Sequence, residues 1–281
     1  MFKRVMVAVV GLPLLILILG WAPSWATMLL LAAMCAIGAW ELMHAAAGER
    51  GRPLIPLTVI AAALVPVCVY AEVSIENTEL TALPVLPLTA LLGAVLVLAL
   101  FVVSICRYGG ERAVPFAALT TAIFAGLVFP LMLSCMLRLR MVPYIGMLLV
   151  FFPLCISFGS DTFAFFAGLL FGKHKLTPVS PKKTVEGAIG GLIGGVIGMM
   201  IMPFVGGMVI SDAFMSPTMA VAFGLLGSVV SQIGDLSFSV IKREFGVKDY
   251  GNLLPGHGGI LDRFDSVTFV APFVWLLLEL I

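Results

Sequence analysis

Long apolar stretches, separated by short polar connections, run through the whole chain. They lie near residues 4–20, 26–46, 54–71, 84–106, 113–137, 143–171, 187–210, 216–242 and 264–281. A helix needs about 20 mostly apolar residues to cross roughly 30 Å of hydrocarbon, and most of these stretches approach or exceed that length. The pattern therefore predicts an all-α, polytopic integral membrane protein with about nine transmembrane helices.

The first stretch begins with Lys3 and Arg4, and the tripeptide Ser24-Trp25-Ala26 that follows it is similar to a signal-peptide cleavage site. Because the chain retains this segment, we expect an uncleaved first helix. No long soluble segment precedes that helix, which favours a bacterial inner (cytoplasmic) membrane.

Composition agrees with a bilayer environment. Hydrophobic residues make up 61% of the 281 residues, charged residues 11%, and the mean hydropathy is +1.16. These values leave little room for a soluble domain. The five cysteines are scattered singly, with no Cys-x-x-Cys spacing, so we interpret them as packing residues.

The distribution of basic residues predicts the orientation, because short cytoplasmic loops are enriched in Lys and Arg. With a cytoplasmic N-terminus, only Arg138 and Arg140 remain outside. The cytoplasmic set is Lys3, Arg4, Arg50, Arg52, Arg107, Arg112, Lys173, Lys175, Lys182, Lys183, Lys242, Arg243, Lys248 and Arg263. We therefore predict nine spans with the N-terminus cytoplasmic and the C-terminus outside, and candidate chemistry in the two longest cytoplasmic loops, 172–186 and 243–263.

Asp161 and Asp235 fall inside predicted spans, where an ionisable side chain costs several kcal/mol and usually has a partner or a function. Asp161 and Asp235 lie on the order of 10 to 15 Å below the cytoplasmic ends of their helices, at 1.5 Å per residue. A helix would place Asp235 on one face with Ser231, Ser239 and Lys242. A structural hydrogen-bond network is the alternative interpretation of this polar face.

The loop 243–263 carries the most specific string in the chain. Its matching positions are Ser239, Lys242, Arg243, Lys248, Asp249, Pro255, His257, Gly258, Gly259, Asp262, Arg263 and Asp265. This string resembles the signature of the phosphatidate cytidylyltransferase (CDP-diacylglycerol synthase) family. Residues 160–176, 180–187 and 234–239 are similar to other shared stretches of that family, so the resemblance covers most of residues 157–266.

The resemblance implies transfer of CMP from CTP to phosphatidic acid, which gives CDP-diacylglycerol and pyrophosphate in phospholipid biosynthesis. It places the catalytic region in residues 143–281, after about five N-terminal helices in residues 1–142. It also implies a homodimer. We expect CTP, phosphatidic acid and membrane lipids as partners, and no nucleic acid.

The residue types in these loops suit such a reaction, because joining two polyanions needs cations, carboxylates that hold a metal and close backbone approach. We assign catalytic roles to Asp235, Asp262, Lys248, Asp249, Arg263 and Asp265. We assign substrate binding to Lys182, Lys183, Ser239, Lys242, Arg243, His257, Gly258, Gly259 and Asp161. Anionic-lipid contact is the alternative for the basic residues, and an ion pair with Asp262 is the alternative for Arg263.

Magnesium is the expected cofactor, with a second cation as an option, because Mg²⁺ needs only one or two carboxylates besides phosphate oxygens and water. Asp235 and Asp262 are our preferred ligand pair, although spacing alone does not assign each acid to metal, ribose or base. The glycines around His257 precede the last helix, whose backbone N–H groups favour an anion such as phosphate.

Glycines recur every four residues in the seventh stretch and predict close approach of a neighbouring helix, from the same chain or from a second subunit. Thr184 is expected to cap that helix.

Three other functions fit the sequence less well. A CDP-alcohol phosphotransferase would need an Asp-Gly-x-x-Ala-Arg run, and a pump would need a Walker sequence, and the chain has neither. A secondary transporter could use Asp161 and Asp235 as ion or proton sites. A transporter should show repeat halves, whereas the polar residues here crowd into the second half of the chain.

Overall fold

The chain folds into helices joined by short connections, in a computed structural model that describes residues 2–77, 87–210, 214–251, 253 and 258–280. The main helices are α1 (Phe2–Gly20), α2 (Ser24–Ala46), α4 (Ile55–Glu76), α5 (Leu88–Cys106), α6 (Phe116–Ile123), α7 (Phe129–Arg140), α9 (Phe152–Phe171), α10 (Val185–Val209), α11 (Pro217–Glu244) and α12 (Leu261–Glu279). Two single turns, α3 (Gly48–Gly51) and α8 (Gly146–Leu149), complete the set, and a π-helical turn, Phe124–Val128, joins α6 to α7. Of the described residues, 80% are helical, so the all-α prediction is confirmed.

Each predicted apolar stretch overlaps a helix, and seven helical segments of the described chain are long and apolar enough to cross a membrane. These are Ser24–Ala46, Gly48–Glu76, Leu88–Cys106, Phe116–Arg140, Gly146–Phe171, Val185–Val209 and Pro217–Glu244. Helix α12 differs because Asp262, Arg263 and Asp265 lie near its start. In α1, the residues whose side chains the structure describes form the shorter apolar segment Gly11–Gly20. The count of nine spans and the orientation of the termini therefore stay predictions.

The chain forms two compact units. The first contains residues 1–141 and 245–263, and the second contains residues 142–244 and 264–281. The loop 245–263 thus belongs with the N-terminal helices, whereas the loop 172–186 belongs with the second unit.

A buried carboxylate organises one end of the first unit. Glu72 of α4 is 5% exposed, and its Oε2 accepts a hydrogen bond of 3.2 Å from Nη2 of Arg138 on α7. Its Oε1 accepts from the Thr89 backbone N–H at 2.7 Å and from the Thr89 hydroxyl at 2.9 Å. Because a buried carboxylate is costly unless it is paired, these contacts fix α4, α5 and α7 together at this point.

The second unit is built around the glycine-rich face of α10. A Cβ added at Gly194 would overlap the carbonyl oxygen of Gly159 and the side chain of Phe163, both on α9. On the other side, a Cβ at Gly195 would overlap the Ser228 side chain of α11. The glycine repeat therefore packs α10 against two helices of the same chain, which resolves the alternative left open by the sequence.

The opposite face of α10 is apolar and exposed. Its outward residues are Ile189 at 56%, Ile193 at 55%, Ile197 at 45% and Ile201 at 51% exposure. Branched apolar side chains in this pattern suit contact with lipid acyl chains.

We expect Gly194→Ala to lower the thermal unfolding temperature by about 3–10 °C, because overpacking a close helix contact typically costs a few kcal/mol. The matched control is Gly207→Ala on the same helix, where an added Cβ meets nothing within 4 Å. Thermal unfolding of the two variants in detergent measures the difference. Equal unfolding temperatures would contradict the packing role of the α10 glycines.

Candidate functional site

A cavity of about 480 Å³ opens in the second unit beside the loop that precedes α10. Its lining residues are Asp161, Ala164, Phe165, Gly168, Leu169, Leu176, Ser180, Lys182, Lys183, Thr184, Gly187, Ala188, Gln232 and Asp235. Four residues assigned from the sequence, Asp161, Lys182, Lys183 and Asp235, thus line one cavity.

An ion pair between Lys183 and Asp235 forms the polar side of this cavity. The Lys183 side chain is 27% exposed and the Asp235 side chain 26%, so both charges are partly withdrawn from solvent. The Ser239 hydroxyl, one turn further along α11, lies 3.5 Å from Asp235 Oδ1. The helix predicted through Ser231, Asp235, Ser239 and Lys242 is present in α11.

Further acidic groups surround this pair. Asp161 interacts electrostatically with both Asp235 and Lys183, and the buried Asp265 interacts with Asp235, Asp161 and Lys242. Within the described part of the chain, however, no three His, Cys, Asp or Glu side chains come close enough together to hold one metal ion.

The loop before α10 folds back on itself and thereby places Lys183. Its backbone pairs Lys175 with Thr184, and the Leu176 N–H donates to the Lys183 carbonyl at 2.9 Å. Thr184 Oγ1 accepts from the Gly187 N–H at 3.1 Å, so the predicted cap of α10 is confirmed. In the middle of the loop, the Val179 carbonyl accepts a hydrogen bond from Nε of Arg243 on α11 at 3.3 Å.

Two polar residues of this region were missed by the sequence reasoning. Glu186, in the first turn of α10, accepts from the backbone N–H of Lys173 at 3.2 Å and contacts His174 Nδ1 at 2.6 Å. Gln232 lines the cavity and donates from Nε2 to the Ala188 carbonyl at 3.0 Å. Gln232 could have been found, because it lies three residues before Asp235 and so shares its helix face.

The remaining assigned residues belong to the first unit. Lys248 and Asp249 are exposed, whereas the Tyr250 beside them is buried. Asp262 Oδ2 accepts from the backbone N–H of Tyr250 at 2.9 Å and from that of Gly259 at 3.0 Å. Arg263 is exposed in the first turn of α12. His257, together with Pro255 and Gly256, lies outside the described residues.

Gly258 has a φ of +83°, a left-handed conformation that favours glycine, and an added Cβ would lie 3.0 Å from Asp262 Oδ2. The backbone conformation and the close contact with Asp262 therefore explain why the residue at position 258 is a glycine.

Glu41 of α2 completes the first-unit arrangement and was also missed. Its side chain is 1% exposed, with Oε1 accepting from the Ile260 N–H at 3.1 Å and Oε2 from the Leu261 N–H at 3.0 Å. The rule that singled out Asp161 and Asp235, an acid within an apolar stretch, would have found it. The N–H groups of residues 259–261 thus have carboxylate partners, and an anion at this helix start would have to bind through other groups.

Known proteins similar to the chain include several from bacteria. The phosphatidate cytidylyltransferase of Bacillus subtilis (strain 168) is 39% identical over 160 residues, which cover 57% of the chain and 56% of that protein. The phosphatidate cytidylyltransferase of Staphylococcus saprophyticus is 46% identical over 134 residues, or 47% of the chain and 50% of that protein. That of Staphylococcus aureus (strain COL) is 44% identical over the same length.

These alignments span about half the length of the curated relatives. The family model extends further, because the model of the Cytidylyltransferase family matches residues 2–281. The chain therefore belongs to the Cytidylyltransferase family.

Proposed function

We propose that the protein is a CTP:phosphatidate cytidylyltransferase, which transfers CMP from CTP to phosphatidic acid. The observation that carries this proposal is the cavity of the second unit, where the Lys183–Asp235 pair meets an apolar wall. Membership of the Cytidylyltransferase family and the names of the bacterial relatives point to the same reaction.

The two sides of the cavity suit an amphipathic substrate. Lys182 and Lys183 supply positive charge for a phosphate group, while Phe165 and Leu169 of α9 line the apolar side. Phe165 is 65% exposed and Leu169 is 70% exposed, as expected for side chains that face lipid. A lipid phosphate can therefore reach the lysines while its acyl chains remain in the bilayer.

In the proposed reaction, a phosphate oxygen of phosphatidic acid attacks the α-phosphorus of CTP in line with the leaving group. A new P–O bond forms between lipid and CMP, and the bond between the α- and β-phosphates breaks to release pyrophosphate. Because the attacking phosphate is already ionised near neutral pH, no general base is required. The protein contributes orientation and charge, with Lys183 exchanging its contact with Asp235 for phosphate oxygens as substrate enters.

Magnesium would supply charge neutralisation of the phosphates, and the donor set fits it because carboxylate oxygens are its preferred protein ligands. On the basis of residue type and motif, we propose Asp235 as an acid that would hold it in the second unit, and Asp262 of the first unit as a second candidate ligand by its motif alone. Asp161 and Asp265 add negative potential around Asp235.

The direct test combines purified protein, labelled CTP, phosphatidic acid and Mg²⁺, with detection of CDP-diacylglycerol and pyrophosphate. We expect equal amounts of the two products, dependent on both lipid and metal. Absence of CDP-diacylglycerol with all components present would reject the proposal. Ion flux through reconstituted vesicles without this product would favour the transporter that uses Asp161 and Asp235.

We expect Asp235→Asn to reduce turnover by about 100-fold or more, because it removes the charge that pairs with Lys183 and attracts the metal. Glu244→Gln, an exposed acid at the end of the same helix, is the matched control and should retain normal turnover. Initial rates at saturating substrates measure the effect, with thermal unfolding to verify folding. Near-normal rates in Asp235→Asn would remove this residue from the site. Asp262→Asn should lose turnover in the same way.

We further propose a homodimer in the bacterial inner membrane, with the site facing the cytoplasm. The two exposed tyrosines Tyr108 and Tyr144 test the orientation, because the proposed topology places them on opposite sides. In a cysteine-free background, an impermeant maleimide should label Tyr144→Cys in intact spheroplasts and Tyr108→Cys only after lysis. Labelling of Tyr108→Cys in intact spheroplasts, with labelling of Tyr144→Cys only after lysis, would contradict the proposed topology.

A further inference from the structure

Glu41 is a buried carboxylate within an apolar helix, and within the described residues no cation lies at ion-pair distance from it. Its partners are the backbone N–H groups of Ile260 and Leu261, at the start of α12. The N-terminal end of a helix carries partial positive charge, which stabilises a carboxylate in this position. The negative charge of Glu41 is therefore neutralised by the loop and helix start that it contacts.

The loop also approaches Glu41 too closely for any side chain larger than hydrogen. A Cβ added at Gly251 would lie 2.5 Å from Glu41 Oε1, and one added at Gly259 would overlap the same carboxylate. From the α12 side, Asp262 accepts the N–H groups of Tyr250 and Gly259. Residues 250–251 and 259–261 are thus held between two carboxylates, Glu41 and Asp262, through contacts that all lie within the first unit.

We propose that Glu41 is a positioning residue of the transferase, an inference that rests on the proposed function. It touches no substrate. It holds the start of α12 and the backbone around Gly251. Asp262, and the exposed Lys248 and Asp249 that precede Gly251 in the chain, thereby keep the positions that turnover requires. A carboxylate suits this task because its two oxygens accept two N–H groups at once. An amide offers one acceptor oxygen, and its NH₂ group only donates.

The variant Glu41→Gln tests the proposal, because it keeps the size of the side chain and leaves one backbone N–H facing an NH₂ group. Loss of one charge-assisted hydrogen bond should lower kcat by about tenfold, while KM for phosphatidic acid stays within about twofold. Hydrogen exchange measured on a peptide covering residues 258–263 should become faster, because one of the two N–H groups, of Ile260 or of Leu261, loses its acceptor.

The matched control is Glu72→Gln. Like Glu41, Glu72 is a buried glutamate of the first unit that accepts a backbone N–H. This variant should lower the unfolding temperature through the lost Arg138 contact, yet leave kcat and the exchange of residues 258–263 unchanged. If the two variants lose kcat equally, or Glu41→Gln keeps the wild-type kcat and exchange rate, the positioning role is rejected.

A second variant, Gly251→Ala, perturbs the same contact while the Glu41 carboxylate remains. Its effect on kcat should not add to that of Glu41→Gln in the double variant, since both act through one contact. Additive effects would reject the inference. This criterion also applies if Glu41→Gln folds poorly. An inactive wild-type protein would instead reject the proposed function, and the exchange measurement would still decide whether Glu41 holds the loop.

Discussion

A charged side chain inside an apolar helix must find a partner, and this constraint connects the parts of the structure. Glu41 binds backbone N–H groups at the start of α12, Glu72 binds Arg138 and Thr89, and Asp235 binds Lys183. In each case the partner comes from another helix, a helix end or a loop. Because an unpaired charge would cost several kcal/mol, each acid fixes the segment that supplies its partner.

The paired acids fall into two groups, which differ in the solvent exposure of their side chains. Glu41 is 1% exposed and Glu72 is 5% exposed, so their contacts are closed and serve the architecture. The side chains of Lys183 and Asp235 are each about one-quarter exposed and line a cavity. A pair that remains accessible can exchange its partner for the charges of a substrate. We therefore propose chemistry in the second unit's cavity and a supporting role for the buried glutamates.

Much of this organisation was predictable, and the exceptions have physical causes. The apolar stretches gave helices at the expected places, because hydropathy over about 20 residues is a strong signal. Asp161, Lys183 and Asp235 meet in one cavity, as expected for acids within spans and a basic cytoplasmic loop. Glu41 could have been found as an acid within an apolar stretch, but its partners could not, because they are backbone N–H groups more than 200 residues away, which side-chain patterns do not reveal. The carboxylate partners of residues 259–261 were missed for the same reason.

The central claim is that Lys183 and Asp235 act together as one catalytic pair. A double-variant cycle on the kcat/KM for CDP-diacylglycerol formation tests it most directly, with Lys183→Met, Asp235→Asn and the combined variant. If the claim holds, each single change removes most of the activity, and the combined variant is no worse than the weaker single variant. Losses that multiply in the combined variant would show that the two residues act independently and would contradict the account.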